Sequence, residues 1–304
     1  MKIKVIINAS KGKQNLTQLQ AIISEELSGF TVDISATKYA GQGQKLAGNA
    51  VKDRFDIIIA VGGDGTINEI INGTIGSNIP IGIIPLGSAN DLAKHLGIPH
   101  NIRSACQIIL TGYRQAIDLI KVNNWYYITS GGIGLPCEVL LEIKYYHQRH
   151  FAGKHIFKYF GGKIYALSLL MILLKGKHHG RQIKLDGQNI NRNFDSSSLI
   201  IGNQPHLGRN FQTLPGAINN DGYFDVCLIK NLKNRFRLYG NILKTCSGTH
   251  IKCKDVIFFR AKHISIKARD KISFFGDGEL KLKDFKFDVR LIPRAIDIIV
   301  PSVS

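Results

Sequence analysis

No Cys-x-x-Cys pair occurs in this sequence, and its five cysteines, Cys106, Cys137, Cys227, Cys246 and Cys253, are an odd number. That pattern argues against a disulfide framework and against a thiolate zinc site, and a reducing cytosol is the simplest reading. Long apolar runs are missing too. The longest, Ile164 to Leu174, has eleven residues, against the ~20 that a bilayer span requires. The opening MKIKVIINASKGK holds only a short apolar stretch, Val5 to Ile7, with no small-residue cleavage site behind it, so it does not read as a secretory signal. Neither G-x-x-x-x-G-K-S/T nor G-x-G-x-x-G is present, which weakens P-loop and Rossmann dinucleotide readings. Acids are scarce: 22 Asp and Glu face 40 Lys and Arg, a net charge of +18 over 304 residues. Such a surface attracts phosphates, nucleic acid or anionic membrane.

What is present divides in two. Residues 1–118 carry 11 basic and 9 acidic side chains, while residues 119–304 carry 29 and 13. The first part alternates short apolar strands with helix-like stretches. Strands are predicted at Ile3–Ile7, Thr31–Thr37, Asp56–Val61 and Ile81–Ile84, and helices over 14–27, 44–51, from Ile67 to Ile71 and over 91–95. Repeated βα units imply a parallel sheet covered by helices on both faces. After Asp118 the strand candidates are separated by turns more often than by helices: Trp125–Thr129, Leu199–Ile201, Phe224–Ile229, Val256–Phe259, His263–Lys267 and Ile272–Phe275. This half is expected to be β-rich and antiparallel, with 262–284 as a meander of short strands joined by Asp-Gly turns. The boundary falls near 118–124, where Asn123-Asn124 marks a turn.

The charge concentrates between Lys144 and Lys184, where nine Lys and Arg stand with no acid, interleaved with aromatics and histidines. Two helix-like patterns lie there, about 137–149 and 155–175. Basic residues beside aromatic ones suit an anionic membrane surface. Nucleic acid is the weaker reading, and an ordinary basic helix face is the bland one. The histidines His147, His150, His178 and His179 read as surface residues, since no carboxylate or Cys lies near them.

Two loops carry the chemistry. The buried strand FDIIIAV runs into Gly62-Gly63-Asp64-Gly65-Thr66, and a helix follows. Glycines there let the backbone approach a phosphate, and the helix N-terminus favours an anion. Asp64 inside such a loop suits a site where a divalent cation bridges phosphates or a proton must be taken. About twenty residues on, IPIGIIP enters Leu86-Gly87-Ser88-Ala89-Asn90-Asp91 before another helix, which Ser88 or Asn90 can cap. Both loops should leave the C-terminal ends of neighbouring parallel strands, where open α/β sheets bind ligands. Gly41-x-Gly43 is a glycine fragment without a third member and is discounted.

These residues resemble the diacylglycerol kinase catalytic-domain family, bacterial lipid kinases related to sphingosine and ceramide kinases and more distantly to NAD kinase. Gly62 to Thr66 matches its nucleotide signature, with Asn68-Glu69 following. Pro85 to Asp91 matches its second motif, with Ser88 in place of Thr. Asn8-Ala9-Ser10-Lys11-Gly12 resembles its opening loop, with Ala9 in place of Pro, and Thr37 stands at its nucleotide-contacting Thr. Asp118, Asp221-Gly222 and Asp277-Gly278-Glu279 extend the resemblance over nearly the whole chain. One departure stands out: the family's glycine-rich N-G-x-x-x-G-G-G segment is here Asn203-Gln204-Pro205-His206-Leu207-Gly208-Arg209-Asn210.

The resemblance implies an α/β ATP domain of residues 1–118 plus 291–304, a β-sandwich lipid domain of residues 119–290, and an active site in the cleft between them. It implies ATP and Mg2+, with Asn8, Ser10, Gly12, Thr37, Gly62, Gly63, Asp64, Gly65, Thr66, Asn68, Glu69, Gly87, Ser88, Asn90 and Asp91 at the nucleotide. Glu279 becomes the base toward a lipid hydroxyl, with Asp64 the other candidate, and Asp64 and Asp118 serve Mg-ATP, Asp118 through water. Ile218, Asp221 and Tyr223 become ligands of a structural magnesium, while a plain Asn-Asp-Gly turn is the alternative. The expected activity is phosphoryl transfer to a lipid hydroxyl, diacylglycerol first among them, by a cytoplasmic protein peripheral to the membrane and without a nucleic-acid partner. An NAD kinase-like enzyme and a silent anionic-lipid-binding protein on the same fold are the alternatives.

Overall fold

The structure is a computed structural model. It describes residues 1–9, 16–149, 168–172, 180–188, 190–208, 211–232 and 234–302. Contacts divide the chain into two units, Met1–Leu119 with Pro293–Ser304, and Ile120–Ile292.

Unit 1 is an α/β layer structure. Its sheet runs in the order β2 (Thr31–Thr37), β1 (Lys2–Asn8), β3 (Ile57–Gly62), β4 (Ile81–Pro85) and the end of β13 (Glu279–Val300), all parallel. β3 and β4 are buried at every position. They read as unbroken apolar runs because helices cover both faces. On one face Ile3, Val5, Ile7, Ile57, Ile59 and Val61 pack with Ile23 and Leu27, around α1 (Leu16–Glu26), and with Ala105, Cys106 and Ile109 of α5 (Ile102–Thr111). α2 (Gln42–Lys52) and α3 (Asp64–Thr74) pack against each other and against β1 and β3. α4 (Asp91–His95) is a single turn. The sequence reading did not include α5. Asn101 caps it by accepting the Ser104 N–H at 3.0 Å, and its apolar residues at 102, 105, 106 and 109 have helical spacing.

Unit 2 is a β-sandwich with helices on one outer face. β9 (Ile190–Gly202) and β12 (His263–Gly276) are long antiparallel strands. One half of each pairs with β8 (Arg181–Gly187) and the other half with β7 (Ser130–Gly134). β10 (Phe224–Lys230) continues from β9 and β11 (Val256–Ala261) from β10, while the hairpin of β5 (Tyr113–Val122) and β6 (Trp125–Tyr127) adds Ile120, Val122 and Tyr127 to the core. Alternation sorts the faces. Leu199, Ile201, Val226 and Leu228 enter the inner core with Phe274 and Phe287. Ile200, Cys227 and Ile229 face outward to a second cluster under α6 (Leu135–Arg149) and α7 (Arg235–Leu243).

The expected meander over 262–284 is instead one long hairpin, β12 with β13, whose register shifts between Lys267 and Ile272 and again between Phe274 and Phe275. The second shift, with one extra residue on β13, is a bulge, the first is a wider irregularity on β12, and both read in sequence as breaks. Helix 137–149 is present as α6. The helical pattern over 155–175 falls outside the described residues except for a helical stretch at 168–172.

Candidate functional site

In unit 1 the register brings the site to one row. Asn8 pairs with Thr37, Ile7 with Val61, and Gly62 with Pro85. The ends of β2, β1, β3 and β4 therefore lie side by side, each leading into one of the loops singled out in the sequence. Between β1 and β3 the chain order reverses, the switch point at which open α/β sheets take ligands.

Short side chains weld the row together. Asn8 Nδ2 donates to Thr66 Oγ1 at 2.8 Å. A Cβ on Gly62 would come within 2.5 Å of that same hydroxyl, so Gly62 is glycine because Thr66 folds back over it. Gly63 and Gly87 bring the two loops into backbone contact: a Cβ on Gly87 would lie 2.5 Å from Gly63 Cα. The Leu86 N–H donates to Gly62 O at 2.8 Å. These glycines thus serve loop-to-loop approach first. The expected cap on α4 takes another form. Asn90 stands at the N-cap in the left-handed region (φ 51°), and its side chain makes no capping bond. It turns back instead, accepting from Gly87 N at 2.8 Å and donating to Gly87 O at 2.9 Å, with His100 Nδ1 3.2 Å from its amide. Asn90 is fully buried; it closes the second loop, and Ser88 stays exposed beside it.

The loop between β3 and α3 offers an anion what a helix start offers. Gly63 is the N-cap in extended conformation without a side-chain cap, and Asp64 and Gly65 head the helix. Asp64 is half-buried, with the Leu92 N–H 3.5 Å from its Oδ1. Glu69 is committed elsewhere. Its two oxygens accept the N–H groups of Gly41 at 2.7 Å and Gly43 at 2.9 Å. The discounted Gly41-x-Gly43 therefore has a role: it lets the turn after β2 sit on the Glu69 carboxylate. Asn68 and Thr66 are buried in α3. Asp118 is fully buried, and its Oδ1 accepts the Arg294 N–H at 2.7 Å, which fastens the returning C-terminal strand. Ser10 and Gly12 lie outside the described residues.

In unit 2 the Asp-Gly-Glu motif forms the β12–β13 turn. Asp277 and Gly278 both have positive φ, 48° and 78°, and Gly276 pairs with Glu279; this is the two-residue turn that suits strand twist. Asp277 is more than a turn residue. Its carboxylate accepts from Thr129 Oγ1 at 2.6 Å, Thr129 N at 2.8 Å and Ile128 N at 3.1 Å, while its own N–H donates to Ser130 O. No sequence signal beyond the Asp-Gly pair marked it. Glu279 is 57% exposed in its side chain and pairs with Lys281 at 2.5 Å, whose ammonium lies over Trp125.

At the Asp221 turn the donors are hard oxygens, as magnesium prefers, but they are already engaged. Asp221 Oδ1 accepts the Tyr223 N–H at 3.1 Å, and Oδ2 meets the Arg260 guanidinium. Arg260 and Lys262 both lie over the Tyr223 ring. Burial pushes the neighbouring Asp225 carboxyl up to about 6, against the pull of Arg260. Ile218 is half exposed. The Asp221 carboxylate is thus paired with the Arg260 guanidinium, and it would take a hard cation only in exchange for that partner. Among the described residues no group of three or more His, Cys, Asp or Glu side chains gathers as a metal site.

Comparison with known proteins finds two family matches along the chain. Residues 2–122 match the diacylglycerol kinase catalytic domain, and residues 154–300 match the YegS C-terminal NAD kinase beta sandwich-like domain. Two Staphylococcus aureus proteins named diacylglycerol kinase, from strains bovine RF122 / ET3-1 and MRSA252, are each 28% identical over 306 residues, covering 98% of this chain and 92% of theirs. A crystal structure of a candidate diacylglycerol kinase from Bacillus anthracis str. Sterne superposes with a TM-score of 0.79 at 23% identity, covering 98% of this chain and 97% of that one. A second Bacillus anthracis structure gives 0.73 at 21%. At those identities the structures speak for the fold alone.

Proposed function

This chain belongs to the diacylglycerol kinase catalytic-domain family, a family of kinases, and on that premise we propose that it transfers the γ-phosphoryl group of ATP to a lipid hydroxyl, with diacylglycerol as the acceptor. The observation that carries the reading is the row formed by Thr37, Asn8, Gly62–Thr66 and Pro85–Asp91 along one end of a parallel sheet. Phosphates placed there meet the start of α3, with the backbone N–H groups of Asp64 and Gly65 as donors and the helix dipole behind them. Asn8 and Asn90 hold the two loops in shape, so those donors are set before the nucleotide arrives.

The proton is handled by carboxylates. Glu279 is exposed on a rigid turn and receives the acceptor hydroxyl's proton, which an ordinary carboxylate can do because the proton leaves late in a loose phosphoryl-transfer transition state. Asp64 stands where the phosphates arrive. Magnesium bound with the nucleotide would supply neutralisation of phosphate charge, with Asp64 as the acid nearest the loop. The Lys144–Lys184 segment, most of which lies outside the described residues, is proposed to seat the protein on anionic lipid. No described helix is long and apolar enough to cross a membrane; peripheral attachment at the cytoplasmic face is part of the proposal and rests on that basic segment.

The test is transfer of radiolabel from ATP into organic-soluble product with mixed micelles of diacylglycerol, beside a parallel arm with NAD. Label in phosphatidic acid supports the reading. Label in NADP would move the chain to an NAD kinase-like activity, and label in neither would make it a silent lipid-binding protein.

A further inference from the structure

We propose that α7 and the two turns after it form a second membrane-docking surface, which lays exposed apolar side chains and lysines onto anionic bilayers. The sequence is basic over this whole stretch: between Asp225 and Asp255 there is no acid, while Lys230, Lys233, Arg235, Arg237, Lys244, Lys252 and Lys254 all fall there. The helix has two faces. Leu238 and Ile242 are buried in the cluster with Ile229 and Val256. Phe236 and Leu243, seven residues apart and so on one stripe of the helix, face outward, 87% and 48% exposed.

Phe236 is the most exposed large hydrophobic side chain among the described residues. A lone exposed apolar residue needs no explanation, but a stripe set within lysines does. The 3-10 turns Lys244–Ser247 and Thr249–Lys252 pack beside α7 and add Ile251, 37% exposed, with exposed Lys252 and Lys254 next to it in sequence and exposed Lys244 reaching Cys253 Sγ at 3.5 Å. Asn234 caps the helix through the Arg237 N–H at 3.1 Å, and Arg237 pairs with Asp255 at 2.5 Å, so the stripe is held on a fixed element. An apolar stripe beside lysines, with the Asp255 carboxylate taken up by Arg237, is complementary to acyl boundary and anionic headgroups together. The proposal rests on the lipid-acceptor reading for its purpose, but vesicle binding needs no ATP and is measured apart from it.

The test uses the full chain. Phe236→Trp puts a reporter on the stripe, beside the native Trp125 as baseline. With vesicles of phosphatidylglycerol and phosphatidylcholine, the added tryptophan should shift to the blue and be quenched by brominated acyl chains. Pure phosphatidylcholine should leave it unchanged, and high salt should weaken the effect. Changing Lys244, Lys252 and Lys254 together to Glu should lower vesicle affinity on the order of 100-fold, with activity on a water-soluble short-chain acceptor kept. Vesicles that sediment the protein without altering the reporter's emission would show that another surface docks, and overturn the proposal. So would an absence of sedimentation, or a reporter signal that follows protein concentration instead of lipid, which would mean self-association. If the docking holds but no lipid is ever labelled, the kinase reading falls alone.

Discussion

Asp277 takes three hydrogen bonds from the Ile128–Thr129 turn, while Glu279, just past the same hairpin, stays open to solvent. The first should therefore act on stability and the second on turnover. Asp277→Ala strands the Ile128 and Thr129 donors in a buried place and leaves a β-carbon at φ 48°; it should cost about 3 kcal/mol in urea unfolding. Glu279→Gln should leave the unfolding midpoint in place, lower kcat at least ~100-fold and leave ATP affinity nearly unchanged. A collapse of ATP binding in that variant would place Glu279 at the nucleotide. Asp64→Asn, checked by circular dichroism for retained fold, should also lose at least ~100-fold in turnover, because it removes the carboxylate proposed to stand beside the arriving phosphates. Near wild-type rates from folded Asp64→Asn would sink that role.

The helix pair α2 and α3 shows what an element needs that one residue cannot supply. A Cβ on Gly73 would overlap Gln44 O and come within 2.8 Å of Ala47 Cβ, so the two helices approach at their backbones there. Gly73→Ala should push them apart and cost about 1–3 kcal/mol. Since α3 begins at Asp64, ATP affinity should fall with it, and calorimetric melting beside nucleotide titration would show both losses. Unit 1 was the legible part of the sequence: strands buried on both faces give continuous isoleucine runs, and glycine loops punctuate them. Unit 2 was less so. β9 runs through Ser196, Ser197 and Ser198, which are polar yet buried, and only its Leu199–Ile201 end stood out. α7 hides its helical period behind arginines and Gly240. Of the site, the loops were readable. The Asn90 closure, the Glu69 tether and the Asp277 anchor were not, since each depends on a partner brought near by the fold.

At the scale of the molecule, unit 1 is assembled from both ends of the sequence. Ile298 pairs with Ile81 of β4, and Ile296, Ile298, Ile299 and Val300 are buried, while Arg294 meets Asp118. Truncation after Ile292 would uncover one side of β4 and strip Asp118 of that donor. Such a protein should lose nucleotide binding and the cooperative melting of unit 1 while unit 2 keeps its own transition, a separation that scanning calorimetry resolves.

The same arrangement has a consequence during translation. A growing polypeptide presents the loops after β3 and β4 long before the strand that completes their sheet, because all of unit 2 is synthesised in between, although domains ordinarily fold in order of emergence. A fragment that stops before Pro293 would lack that strand, so unit 1 can close only after unit 2 has emerged.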